Sequence, residues 1–301
     1  MIAVVVATLN RPHLLEKLIE NLLKQTIRAK IIIIDASDKD KKIKFKKFRK
    51  ITPNITYLTT KIKSAAIQRN IGLDLVPEST KYVAILDDDI SIENNYLESM
   101  IQLLKKSKAV GISGLAIHNS QSFKTTRLKI VKRIFFLDSK TPGKVTAAGV
   151  NIPIHRGTFE GLVTSDWLIG CSVWEYSKIR NLRYQKNFLG QSLFEDVIFS
   201  LQASKYGKLL VDTATFLSHS ESEIERPDMV EFYRMWVFNR FYVVRNLEKR
   251  AYKYAAFHWA SFGKLLQSIL ELPVTRGQSI KKVFGLTRGY WDLGKEIIKC
   301  E

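Results

Sequence analysis

The sequence predicts an α/β protein with a Rossmann-like, mostly parallel sheet that is flanked by helices and followed by a helical C-terminal extension. Three observations predict this class. Short apolar runs alternate with amphipathic helix patterns in the first third of the chain, two of these runs end in aspartates, and the chain beyond Pro227 is mainly helical in pattern and rich in aromatic residues. With 301 residues, 46% of them hydrophobic, the chain is long enough for a sizeable core and is unlike a disordered protein.

The N-terminal elements follow one another in a regular order. Residues 2–7 form a continuous apolar run, which is typical of a strand covered on both faces, and Pro12 suits the first turn of the helix that follows. The same reasoning predicts strands at 31–34, 55–58 and 82–86, and helices at 65–75 and 95–106. Strands that alternate with helices indicate a parallel sheet.

The rest of the chain is less regular. Apolar stretches predict strands at 112–117, 145–154 and 208–211, and a helix at 191–206. Because no internal repeat or low-complexity linker occurs, we expect one domain over residues 1–225. Residues 226–301 are the predicted helical extension.

The strongest local feature is the acidic triplet Asp87-Asp88-Asp89, which directly follows a predicted strand. Open α/β sheets bind ligands at the carboxyl ends of their strands, and a divalent cation would offset the repulsion among three adjacent carboxylates. An acidic turn that caps the next helix would look the same. Asp35 ends another predicted strand and would lie on the same edge, unless it is only a turn residue.

The positive charge of the chain indicates an anionic partner. The formal net charge is +19, and residues 39–50 alone contain eight basic residues and one acidic residue. A second basic group occupies residues 124–133. In the C-terminal extension, apolar residues recur on one helical face, close to lysines: Ala255, Trp259, Phe262, Leu266 and Ile269. This pattern suits a helix that lies on an anionic membrane, or a helix that covers the core of the protein itself.

Several segments together resemble the family 2 inverting glycosyltransferases of the GT-A fold. The matching segments are the N-terminal strand through Arg11, the second strand through Asp35, residues 64–72, the triplet as the DxD motif, residues 167–171, and Glu195-Asp196 as the ED motif. They occur in the family's order over about residues 1–245. The QxxRW signature of processive synthases is missing, and residues 232–236 are only a loose echo of it, so we expect transfer of a single sugar.

The resemblance implies a role for each matching residue. Asp196 would be the general base, with Glu195 beside it, although an acidic helix start would have the same sequence. The domain over residues 1–225 would be catalytic, with a nucleotide-binding half at 1–110 and an acceptor-binding half at 111–225. Trp167 and Gly170 would lie on the acceptor side. Asp87 and Asp89 would be ligands of Mn²⁺ or Mg²⁺, with His219 as a third candidate, although a loop histidine is nearly as plausible. The nucleotide-sugar would contact six residues: Thr8, Arg11, Asp35, Arg69, Asp87 and Asp88.

The resulting hypothesis is a metal-dependent inverting glycosyltransferase. It moves one sugar, with UDP as the expected nucleotide carrier, to a lipid-linked or surface-glycan acceptor. We expect it in the cytoplasm, peripheral on the inner face of the cell membrane, where an anionic surface is its partner and nucleic acid is not. The alternatives are a sugar-phosphate nucleotidyltransferase, which lacks the expected glycine-rich loop, and a basic nucleic-acid-binding protein, for which no motif is present.

Overall fold

A mixed sheet of nine strands organises the part of the molecule that the structure describes. The computed structural model describes residues 1–43, 54–117, 126–188, 190, 192–219, 228–248 and 251–300. The strands are β1 Ile2–Thr8, β2 Ala29–Asp35, β3 Ile55–Thr59, β4 Tyr82–Asp87, β5 Ile90–Ile92, β6 Gly111–Ile117, β7 Leu162–Ser165, β8 Ser172–Glu175 and β9 Leu209–His219. The helices are α1 Pro12–Leu23, α2 Ala65–Asp74, α3 Tyr96–Ser107, α4 Thr126–Ile134, α5 Tyr176–Ile179, α6 Glu195–Ala203, α7 Met229–Asn246, α8 Lys253–Leu270 and α9 Leu272–Cys300.

The strand order brings the carboxyl ends of the first strands together. The sheet runs β3-β2-β1-β4-β8-β6-β9-β5, and β7 pairs with β9. The pairs among β3, β2, β1 and β4 are parallel. Their register places Thr8 opposite Asp35 and Ala7 opposite Asp87. Strand ends that carry predicted site residues therefore lie side by side on one edge of the sheet, as expected for a ligand site in this class of fold.

Alternate residues of β1 face two different layers of helices, because successive side chains of a strand point to opposite faces. Val4 and Val6 pack in one buried cluster with leucines of α1 and Met100 of α3. Ala3 and Val5 pack in the other cluster, which includes residues of α2, α6 and α7. At Gly72 of α2, an added Cβ would lie 2.3 Å from Val5 Cγ1, so this helix sits too close to the sheet for any larger residue.

The C-terminal helices share the core of the sheet domain. Val237 and Val243 of α7 belong to the same buried cluster as Val5, and Asn239 Nδ2 donates to the carbonyl of Leu193 at 2.8 Å. Helices α7 and α9 pack along each other, and α9 is kinked at Thr275. A domain boundary at residue 225 stays a prediction.

The structure confirms the predicted fold class and changes two details. The sheet is mixed, since β8 runs antiparallel to both β4 and β6. The strand predicted at 145–154 is wrong: the chain turns there, with Gly149 at φ 76° and Thr146 donating its backbone N–H to Val150 O at 2.9 Å. The apolar run is buried without being extended, because a glycine in the left-handed region reverses it.

Candidate active site

A cavity of about 570 Å³ opens at the carboxyl ends of β1 and β4. One side, here called the strand wall, consists of Thr8, Arg11 and the triplet Asp87–Asp89. The other side, the helix wall, consists of Glu195 and Asp196 of α6 with Glu231 and Met235 of α7. The predicted residues of two distant sequence regions therefore share one cavity.

Hydrogen bonds hold the strand wall in place. Thr8 Oγ1 donates to Asp88 Oδ2 at 2.6 Å. Arg11 Nη1 lies 3.2 Å from Asp88 Oδ1 and 3.1 Å from Asp89 Oδ2, so it bridges two members of the triplet. Burial raises the pKa of Asp88 to about 6, although Thr8 and Arg11 favour its ionised form. The repulsion that the triplet implies is thus balanced in part by one arginine.

Arg69 joins the two walls. It lies on α2, whose first turn is capped by Ser64, because the Oγ of Ser64 accepts from Ile67 N at 3.3 Å. The buried guanidinium donates to Asp87 of the strand wall and is paired with Glu195 of the helix wall. A cation between two carboxylates fixes the spacing of the walls.

The start of α6 presents two carboxylates in different environments. Glu195 is only 6% exposed and is paired with Arg69. Asp196 Oδ1 accepts from the backbone N–H of Val197 at 2.8 Å, and burial raises the pKa of this carboxyl to about 6. Phe194, which precedes Glu195, has φ 70°. This left-handed conformation costs energy for a non-glycine residue and is often found at functional sites.

Two helix-wall residues, Glu231 and Met235, were not among the predicted site residues. Glu231 accepts from Arg234 at 2.8 and 2.6 Å, and Arg234 also bonds Asp292 of α9 at 3.1 Å. The loose echo of QxxRW at residues 232–236 was the one available signal, since it covers Met235 and adjoins Glu231. Gln68, which donates to the carbonyls of Thr8 and Ile34 at 2.8 Å each, was also missed.

Gly170 lines the cavity beside Arg69 and Asp87, and its lack of a side chain matters. A Cβ there would lie 3.1 Å from both Arg69 Nη2 and the Asp87 carboxylate, tighter than most such contacts. Trp167 does not line the cavity; its Nε1 donates to Ile152 O at 3.3 Å. The glycine therefore leaves room for the Arg69–Asp87 pair.

Asp35 lies next to the cavity but is buried, with 1% of its surface exposed. One carboxylate oxygen accepts from Ser37 N at 2.7 Å and the other accepts from the Tyr57 hydroxyl. Ser37 Oγ in turn accepts from Asn10 N at 2.6 Å. Asp35 thus ties the loop after β2 to the loop after β1, beside Arg11.

The predicted metal ligands Asp87 and Asp89 line the cavity, but the described residues form no complete metal-binding cluster. Within the described residues, no group of three or more His, Cys, Asp or Glu side chains is arranged to hold a metal ion. The backbone of His219 pairs with Ile90, just after the triplet, but its side chain lies outside the described part. Six acidic and two basic side chains are among the described residues that line the cavity.

The basic groups of the sequence are described only in part. Residues 44–50 of the first group and Lys124 of the second lie outside the described residues, as do the side chains of Arg127 and Lys129. Across the described ranges, no helix has both the length and the apolar character that a membrane span requires.

The fold and cavity define the class of protein. A Rossmann-like mixed sheet with an acidic triplet at the end of β4, facing an acidic pair at the start of α6, is the arrangement of the GT-A glycosyltransferase fold. The sequence profile described as Glycosyl transferase family 2 matches residues 3–162, and the chain belongs to that family. A comparison with curated proteins gave no match.

Solved structures of S. aureus TarS share the fold. TarS 1-349 superposes with a TM-score of 0.58 at 13% identity, over 96% of this chain and 80% of that one. TarS 1-349 in complex with UDP-GlcNAc gives 0.59 at 12% identity, over 96% and 81% of the two chains. The longer TarS structure gives 0.56 at 11% identity, over 92% of this chain and 44% of that one.

Proposed function

We propose that this protein is a metal-dependent inverting glycosyltransferase that moves one sugar from a UDP-sugar to a hydroxyl of a lipid-linked or surface-glycan acceptor. The observation that carries the proposal is the cavity itself, in which Arg69 joins the triplet of β4 to the acidic pair of α6. Family membership and the fold shared with a protein solved with UDP-GlcNAc support a nucleotide-sugar donor.

The strand wall suits the donor. Arg11 and Arg69 are the two basic side chains among the described lining residues, so they are the proposed partners of the pyrophosphate. Thr8 and the triplet would line the nucleotide pocket. Asp35 is already engaged by Ser37 and Tyr57, so its proposed part is to order the loop beside the nucleoside.

The carboxylates of the strand wall are suitable ligands for a divalent cation. The lining has an excess of carboxylates, which would repel a diphosphate, and Mg²⁺ commonly binds through one or two carboxylates together with substrate phosphates. Asp89 and Asp87 are the proposed ligands, and His219 remains a candidate third ligand. When bound, the cation would stabilise the negative charge that develops on the departing nucleoside diphosphate.

The helix wall suits proton transfer. Asp196 is the proposed general base because its carboxyl, with a pKa of about 6, is ionised at neutral pH yet basic enough to accept a proton from the acceptor hydroxyl. Attack from the face opposite the leaving group inverts the anomeric centre. Glu195, paired with Arg69, is the proposed positioning residue for Asp196.

The proposed place of action is the cytoplasm, at the inner face of the cell membrane. The charge of +19 favours an anionic surface, and a membrane surface is where a lipid-linked acceptor would be found.

A thermal-shift panel tests the donor. UDP and UDP-sugars with Mn²⁺ should raise the melting temperature, since about 2.7 kcal/mol of stabilisation accompanies a ligand at 100 times its Kd. Arg11→Met should abolish the shift, whereas the exposed, distant Arg28→Met should keep it. If no nucleotide shifts the melting temperature, the donor assignment is wrong. If both the shift and sugar transfer are unchanged in EDTA, the proposed metal dependence is wrong.

A further inference from the structure

The apolar face that the sequence singles out on α8 points away from the protein. Trp259, Phe262, Leu266 and Ile269 are 36–52% exposed. The buried side of the same helix consists instead mainly of small residues, such as Ala256, Ala260, Ser261 and Gly263, together with Phe257. The helix therefore covers the core with one side and presents large apolar side chains to solvent with the other.

Helix α4 extends this face. Trp259 Nε1 donates to the carbonyl of Ile134 at 2.8 Å, and Phe135 stacks on Trp259 with 4.8 Å between ring centroids. Ile130, Val131 and Ile134 of α4 are 51–57% exposed. The exposed apolar residues of α4 and α8 together are here called the α4–α8 face.

The charge of the two helices indicates what covers this face. Their sequences contain six basic residues and no acidic residue, in a chain of net charge +19. Lys253 donates to Leu247 O and Lys264 lies over the ring of Tyr233, so both lysines of α8 turn toward α7, and Arg133 of α4 pairs with Asp138. A second copy of the chain would bring the same positive charge against it, which disfavours self-association through this face. Large aliphatic and aromatic side chains combined with lysine and arginine are the composition of helices that lie in the interface of an anionic bilayer.

We propose that the α4–α8 face is the membrane-docking surface of this protein, with its apolar side chains inserted among the acyl chains of an anionic bilayer that the net positive charge of the chain attracts. Lysine and arginine stems can extend along apolar surface and keep their charges at the interface. The inference rests on the proposed function, because docking brings the enzyme to a membrane-borne acceptor.

Vesicle sedimentation tests the docking surface on the full chain. The protein should sediment with vesicles of phosphatidylglycerol and phosphatidylcholine, less with phosphatidylcholine alone, and less at high salt. The double substitution Phe262→Ser with Ile269→Ser should weaken binding about tenfold or more, given the free energy of burying two large apolar side chains. Leu58→Ser is the matched control, since Leu58 is 41% exposed on β3, outside this face.

Two further measurements separate the possible outcomes. UDP binding in the absence of vesicles should be equal in wild type and in the double variant. Failure of the wild type to bind UDP, with vesicle binding intact, would overturn the proposed donor and not the docking surface. Equal sedimentation of wild type and double variant would overturn the docking surface. Sedimentation-velocity detection of a dimer that Phe262→Ser dissociates would overturn it as well, in favour of a second copy.

Discussion

The two walls of the cavity differ in how their charges are satisfied. In the strand wall, Asp88 and Asp89 accept from Arg11, and Asp87 accepts from Arg69. In the helix wall, the hydrogen bond recorded for the Asp196 side chain comes from the backbone N–H of its neighbour Val197. Burial raises the pKa of Asp88 and of Asp196 alike to about 6, but Asp88 is bonded to Thr8 and Arg11, whereas the Asp196 side chain accepts from a backbone N–H. In the proposed mechanism, the strand wall binds the donor and Asp196 of the helix wall accepts the proton.

The largest expected effect comes from removing the carboxylate of the helix wall. Asp196→Asn should lower kcat by about 10²–10⁴-fold, the usual contribution of a general base, and leave the affinity for UDP unchanged. UDP release and calorimetric titration with UDP measure the two quantities. Asp166→Asn, at a partly exposed ion pair with Lys144, is the control and should retain full activity. Near-normal turnover in Asp196→Asn would contradict the proposal that the helix wall supplies the general base.

The next effect comes from removing the link between the walls. Arg69→Met leaves Glu195 and Asp87 without their cation, and loss of one partner of a buried ion pair costs about 3–5 kcal/mol. Urea unfolding measures the free energy of unfolding. Glu195→Gln added to Arg69→Met should recover part of the loss, because the buried charge is then gone. Strict additivity of the two substitutions would show that the pair is not coupled.

The smallest effect is on the pH dependence of stability. The pKa of Asp196 is raised from 3.8 to about 6, so the folded state holds this proton more tightly than the unfolded state does. The free energy of unfolding should therefore fall as the pH rises from about 4 to 6, and Asp196→Asn should be more stable than wild type at pH 7 by at most about 3 kcal/mol. Urea unfolding at pH 4.5 and 7.5 measures this difference. The activity of the wild type should rise with pH through about 6, and equal pH dependence of stability in both proteins would contradict the assignment.

The two walls also differ in how well the sequence predicts them. The triplet follows a strand that a short apolar run defines, whereas Thr8 and Arg11 were predicted through the family resemblance; all five residues line the cavity. The helix wall was predicted only through the family resemblance of Glu195 and Asp196. Glu231 and Met235 were missed because they reach the cavity from α7, which packs there through contacts distant in sequence, such as Asn239 with Leu193.

The middle of the chain shows the same limit. Buried apolar residues at 145–154 predicted a strand, but burial alone does not distinguish a strand from a turn that packs in the core. Here Gly149 takes a positive φ next to the side chain of Arg240, so the chain reverses. A contact with a helix some 90 residues later is not visible in a local pattern.

The sequence by itself determined the class of fold and the acidic triplet of the strand wall, because these depend on local periodicity and on residues that directly follow strands, and it carried the family resemblance that pointed to Thr8 and Arg11. Only the tertiary structure decided that Arg69 joins the two walls and that α7 completes the cavity. It also decided which side of α8 is buried. Small residues let that helix approach the core closely, so its large apolar side chains are left facing outward beside α4.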